Sequence, residues 1–226
     1  MTDKPPAALI TLTDPHSPIA EAYRTLRTNL EFSSLDHPLK SMVVTSAGPE
    51  EGKSTTLANL AVTMAQAGRG VILVDCDLRR PRLHELFGAP NDQGLTSMMV
   101  DESAMKAPPL QETGVAGLRL LPSGPQPPNP AELLASRRMA EMIEWLAGQA
   151  DVVLFDAPPV IAVTDAAVLA SQVDGVLLVI GAGSTRREYV RQARALLEKV
   201  NARVVGAVLT NVAYDATLHR YYSQRG

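Results

Sequence analysis

The stretch SAGPEEGKST, positions 46–55, sets an ammonium and two hydroxyls behind a turn of small residues. From Ala47 to Ser54 the spacing is A-x-x-x-x-G-K-S, the pattern of a loop whose backbone N–H groups cradle phosphate, with alanine in the first glycine position. In such a loop Lys53 reaches the β- and γ-phosphates of ATP, the Ser54 hydroxyl takes Mg²⁺, and Thr55 meets the α-phosphate. Gly48, Glu51 and Gly52 would complete the nucleotide-binding turn. Glu50 and Glu51 stand where a polyanion arrives. Because backbone N–H groups and the positive helix end do most of the binding, both carboxylates are expected to turn out into water.

Two acidic segments extend the constellation. VVLFDAPP ends an apolar run on Asp156, the arrangement that holds Mg²⁺ directly or through water. VILVDCDLRRP ends another on Asp75 and Asp77, which project to one side of an extended segment. Each aspartate alone could be a solvated turn residue; three strand-terminal carboxylates beside a phosphate loop argue for a metal–nucleotide site. Arg79 and Arg80 follow the pair and could meet phosphate or a neighbouring acid.

The elements that must position these groups are short and β-branched: 41–45, 71–75, 118–124, 152–156, 176–180 and 204–211. Near-continuous apolar runs of this kind read as buried parallel strands. Between them lie helical segments. Over 53–67, Leu57, Leu60, Ala61 and Met64 form one apolar face. Thr185 and Glu188 are spaced as a capping box for a helix over 185–200, and Asn129, Pro130 and Glu132 open another through about 147. Ser17 caps a helix over 18–33 that has Pro18 in its first turn. The alternation predicts an α/β fold, a doubly wound and mainly parallel sheet flanked by helices. Residues 1–16 and 213–226 read as tails around one domain over 17–212, with a proline-rich surface excursion over 101–130.

Composition narrows the partners. A net charge of -3, with 46% hydrophobic and 20% charged residues, excludes general attraction to nucleic acid or anionic lipid. The single cysteine, Cys76, cannot close an intrachain disulfide, and MTDKPPAALI lacks the pattern of a secretory leader, so the cytoplasm is the expected compartment. No apolar run approaches the roughly 20 residues of a membrane span. The four histidines lack metal-ligand spacing, and Trp145 reads as core.

Taken together, the phosphate loop, the I-L-V-D-x-D-L-R-x-P acidic pair, FDAPPVIAVTDA, LPSGPQPPNPAELL and the E-x-x-R-x-x-R of EAYRTLRTNLEF resemble the bacterial tyrosine kinases of capsule and exopolysaccharide synthesis, P-loop NTPases of the ParA/MinD-like group. The resemblance spans roughly residues 17–212. It implies an ATP- and Mg²⁺-dependent autokinase that phosphorylates carboxy-terminal tyrosines of a neighbouring subunit in a ring. Asp75 would orient or deprotonate the tyrosine hydroxyl, Ser54, Asp77 and Asp156 would organise Mg²⁺, and Asn211 would read the adenine edge. Glu21, Arg24 and Arg27 would make subunit contacts, whereas their spacing alone favours intrahelical ion pairs. Expected partners are a second copy of the chain, a separate membrane polysaccharide co-polymerase that recruits and activates it at the inner face of the plasma membrane, and a cognate tyrosine phosphatase. No nucleic acid is expected.

Three of the five tyrosines, Tyr214, Tyr221 and Tyr222, fall in the last thirteen residues, YDATLHRYYSQRG. They are candidate phosphoacceptors, or rings packed on the last strand or an oligomer contact. The competing reading is a ParA/MinD-type positioning ATPase switched by nucleotide. That group carries a second lysine near the start of its loop, where this chain has Gly48.

Overall fold

The computed structural model describes residues 9–101 and 108–212. At its centre are seven strands: β1 (Ser41–Ser46), β2 (Val71–Asp75), β3 (Gln111–Glu112), β4 (Leu118–Leu121), β5 (Val152–Asp156), β6 (Gly175–Gly181) and β7 (Val204–Thr210), in the order β3-β4-β2-β5-β1-β6-β7. All pair in parallel except β3, a two-residue antiparallel edge inside the proline-rich excursion. β1, β2 and β5 are buried at every residue, as a sheet covered on both faces requires. Along β1 the side chains alternate between two cores. Val43 joins Ile72, Val153 and Phe155 on one face, while Met42 and Val44 join Leu57, Leu73 and Leu154 on the other.

Around the sheet lie α1 (Ile10–Thr13), α2 (Pro18–Ser33), α3 (Lys53–Gln66), α4 (Leu83–Phe87), α5 (Leu95–Val100), α6 (Pro130–Leu134), α7 (Arg137–Ala147), α8 (Asp165–Ala170) and α9 (Arg187–Lys199). α2 begins as its sequence predicts, with the Ser17 hydroxyl accepting from the Ala20 N–H and Pro18 in the first turn. α3 is buried from Thr56 to Ala65 without interruption, so it is enclosed on every side rather than lying on the surface by one face.

Three expectations change. The helix expected over 130–147 is two: the Ser136 hydroxyl donates to the Leu133 carbonyl and accepts from the Met139 N–H, ending α6 and starting α7. Arg186, not Thr185, stands at the N-cap of α9, because the Thr185 hydroxyl is engaged elsewhere. The N-terminal tail expected through residue 16 is packed from residue 9 onward. Leu9 and Thr11 are buried, and Thr11 donates from both its N–H and its hydroxyl to Asn59 Oδ1 at 3.1 and 2.8 Å. A buried polar side chain on α3 thus captures the segment.

Candidate active site

The phosphate loop joins β1 to α3 at the point where strand order reverses, with β5 on one side of β1 and β6 on the other. Ligands of doubly wound sheets bind outside the strand carboxyl ends at such a point. The loop makes its turn with Gly52 at φ 81° and Glu50 at φ 59°, both left-handed. Glycine takes this conformation freely, whereas Glu50 accepts a cost of roughly 1–2 kcal/mol. Its side chain is exposed, as expected. Glu51 does the opposite. Only 6% exposed, it turns inward and accepts the Thr185 hydroxyl on Oε1, while its carbonyl accepts the Thr210 hydroxyl at 2.7 Å. The two hydroxyls from β6's following loop and from β7 outcompete water for it.

Parallel pairing sets Asp75 directly beside Asp156, and Asp156 beside Val44 of β1, so both strand-end carboxylates stand level with the root of the loop. Lys53 folds back among the acids, its Nζ 2.8 Å from Asp77 Oδ2 and 3.2 Å from Asp156 Oδ1. The Ser54 hydroxyl donates to Asp156 Oδ2 at 2.5 Å. Burial disfavours the Lys53 cation, but Asp156 and Asp77 outweigh it and raise its pKa. Burial likewise raises Asp156 despite Lys53 and Ser54. The cleft around this group has a volume of about 430 Å³ and is also lined by Thr55, Arg80 and Arg82. A larger hollow of about 670 Å³ opens at the opposite edge of the sheet, between Leu30, Leu39 and Val152, remote from these groups. Chemistry, not size, assigns the site.

Asp75 is more enclosed than expected of a residue that meets a substrate hydroxyl. Fully buried, it accepts from the Asp77, Arg82 and Leu83 N–H groups at 3.2, 3.0 and 2.9 Å, and so folds the 76–83 loop around itself. Burial first, and then the Asp156 charge, push its pKa from 3.8 up to about 8 against the pull of the Leu83 N–H and Lys53. Asp77 is the member of the pair that lines the cleft. Arg79 leaves the phosphate side and makes a two-pronged bond to Asp165, Nε to Oδ2 at 2.9 Å and Nη2 to Oδ1 at 3.2 Å. Asp165 is wholly buried at the start of α8 and ties the acidic loop to the segment after β5. Asp165 lies within FDAPPVIAVTDA, and the motif alone gives it no role. Cys76 lies between the acids as expected, buried, its thiol pushed well up in pKa by burial.

Asn211 follows β7 in the left-handed conformation, φ 54°, one residue past Thr210. It therefore stands beside the phosphate loop. The α2 stripe uses its arginines within the chain: Arg24 bonds Glu21 Oε2 at 2.9 Å and the Pro15 carbonyl at 2.6 Å, and Arg27 bonds the Thr63 carbonyl of α3 at 2.9 Å. Tyr214, Tyr221 and Tyr222 lie outside the described residues.

The donor set suits Mg²⁺. Ser54, Asp77 and Asp156 offer the hard oxygen ligands a small divalent cation requires, and the Lys53 ammonium shows that a positive charge is favoured among them.

The family model of the NUBPL iron-transfer P-loop NTPases, ParA, matches residues 39–221. The tyrosine-protein kinase YwqD of Bacillus subtilis is 45% identical over 201 residues, covering 89% of this chain and 84% of YwqD. The chain belongs to the bacterial tyrosine-kinase family. Its P-loop NTPase fold matches that of two solved members of this kinase group. The chimerical protein CapA2B2 superposes with a TM-score of 0.87 at 37% identity, covering 91% of this chain and 90% of that one. The kinase domain of Escherichia coli ETK superposes at 0.89 with 32% identity, over 96% and 85%. Among the described residues, no helix is long and apolar enough to cross a membrane.

Proposed function

We propose that this chain is an ATP-dependent tyrosine kinase that phosphorylates Tyr214, Tyr221 and Tyr222 of a neighbouring copy, in control of capsule or exopolysaccharide synthesis. The observation that carries the reading is the convergence of Lys53, Ser54, Asp77 and Asp156 on one cleft, in a chain 45% identical to a tyrosine-protein kinase. Phosphoryl transfer requires charge neutralisation and alignment more than covalent help. Lys53 exchanges its carboxylate partners for the β- and γ-phosphates, and Thr55 faces the α-phosphate. Ser54, Asp77 and Asp156 would hold Mg²⁺, which would supply charge neutralisation for the transferring group. Asp75, which burial holds protonated, releases its proton to solvent once its loop lifts and then accepts the tyrosine proton.

The name CapA2B2 joins two proteins in one chain, which supports a separate activating partner. We assign that role to a membrane co-polymerase that draws the kinase to the inner face of the membrane, with a tyrosine phosphatase resetting the tail. Ring assembly uses the exposed side of α2, where Glu21 remains 63% exposed. The positioning-ATPase alternative is disfavoured by residue 48. A Cβ there would stand 3.0 Å from Glu51 Oε1, so a lysine in that place requires Glu51 to move.

The test incubates the full chain with labelled ATP and Mg²⁺, with and without the cytoplasmic part of a co-polymerase, and maps phosphotyrosine by mass spectrometry. Label on the three tail tyrosines is expected, and Lys53→Met should reduce it by at least about 10³-fold. ATP hydrolysis without phosphotyrosine under either condition would overturn the assignment in favour of the switch ATPase.

A further inference from the structure

Glu51 departs from expectation more than any other residue of the phosphate loop. A carboxylate beside a phosphate site repels the ligand, and one buried with an oxygen unpartnered costs the fold about 1–3 kcal/mol. Both apply here: Glu51 is 6% exposed, and Oε2 is buried without a partner in the described structure. Glu50, its neighbour, is free in water. A loop that only needed to cradle phosphate would place both outside.

What Glu51 holds is the far wall of the cleft. Its Oε1 accepts the Thr185 hydroxyl at 2.5 Å, and that same oxygen of Thr185 accepts the Gly181 N–H at 3.1 Å, so the single hydroxyl proton is directed at the carboxylate. The carbonyl of Glu51 accepts the Thr210 hydroxyl, and the Thr210 carbonyl accepts the Ala182 N–H at 2.9 Å. Two glycines make room. A Cβ on Gly181 would stand 2.4 Å from Ser184 Oγ and 3.6 Å from Glu51 Cγ, and one on Gly48 would stand 3.0 Å from Oε1. The chain after Thr210 continues directly into Asn211, whose backbone is left-handed.

We propose that Glu51 is a positioning residue: by clamping the loop after β6 and the end of β7 to the phosphate loop, it sets the distance between the phosphate subsite and a base subsite at Asn211. The charge serves the clamp, since an ionised acceptor makes a shorter and stronger bond to the Thr185 hydroxyl than a neutral one. This rests on the nucleotide-binding part of the function proposed above and not on the choice of phosphoryl acceptor.

The test measures affinity by titration calorimetry for two ligands with Mg²⁺, ATP and inorganic tripolyphosphate. Tripolyphosphate probes the phosphate subsite alone. Thr185→Val removes the hydroxyl and keeps the shape; it should weaken ATP about tenfold, the worth of one charge-assisted hydrogen bond, with tripolyphosphate held within about twofold. Thr185→Ser restores the donor and should restore ATP affinity. Glu51→Gln keeps an acceptor and supplies a donor in place of the orphaned oxygen, so it should fall between the wild type and Thr185→Val. Equal weakening of both ligands in Thr185→Val would reduce Glu51 to a general structural tie, and unchanged ATP affinity would remove its role altogether; either overturns the proposal. Phosphotyrosine is not read in this experiment, so a failed kinase assay and a failed clamp are separate results.

Discussion

At the carboxyl edge of the sheet, Lys53 meets Asp77 and Asp156 at 2.8 and 3.2 Å in a nearly dry cleft, while on α2 the Glu21–Arg24 pair, just as close at 2.9 Å, stands largely in water. Distance is the same in both regions; the surroundings are not. In the cleft each charge has given up its hydration and depends on its neighbours, which shifts proton affinities and lets a phosphate or a metal compete for partners. On α2 water does most of that work, and the pair is worth a few tenths of a kcal/mol. The comparison teaches that a carboxylate becomes chemically useful through what excludes solvent from it, here β5, the 76–83 loop and α8.

The sharpest challenge to this contrast is pH. Asp75 binds its proton more tightly folded than unfolded, with a pKa raised from 3.8 to about 8. Its stabilising contribution is therefore fully present below about pH 4 and is lost as pH rises through about 8. Without nucleotide, the stability of the wild type minus that of Asp75→Asn should fall across this window, with a slope of at most about 1.4 kcal/mol per pH unit. Urea unfolding at half-unit steps measures it. A flat difference would mean that Asp75 is ionised throughout and that its three backbone donors outweigh burial.

A smaller effect should follow from Arg79→Ala, which strands Asp165 in the interior. Removing one partner of a fully buried pair costs about 3–5 kcal/mol; with Arg79 itself 41% exposed, a loss of about 2 kcal/mol is expected in the unfolding midpoint. A loss near zero would place water against Asp165. The least effect belongs to Glu21→Ala, which should change monomer stability by about 0.3 kcal/mol at low salt and less at high salt. A loss above about 1 kcal/mol would put α2 in the same class as the cleft.

Much of the site is legible in the sequence because it follows from local pattern. Strand, turn and helix around Lys53 are contiguous, and Asp75 and Asp156 end apolar runs whose parallel pairing brings them level, with Asp77 two residues on. What escapes is long-range. Thr185 reads as a helix cap until a glutamate 134 residues earlier takes its hydroxyl. The N-terminal segment reads as a tail because Asn59, which captures it, lies 48 residues onward in α3. Asp75 carries the spacing of a site residue, but only the fold of the 76–83 loop reveals that three peptide N–H groups enclose it. Ser136 illustrates the local limit, since a serine within a helical pattern can face solvent or, as here, divide the helix.

α3 carries the phosphate loop, and from Thr56 to Ala65 it shows no open face. It is gripped by the sheet below and by α2 above, with Asn59 bonding both the N-terminal segment and the Thr55 carbonyl. A helix held this way cannot roll or slide without breaking close packing on two sides at once. Lys53 and Ser54 therefore ride on the fixed jaw of a vise. The acidic loop closes against it on one flank, and on the other Thr185 and Thr210 are tied to the same jaw through Glu51.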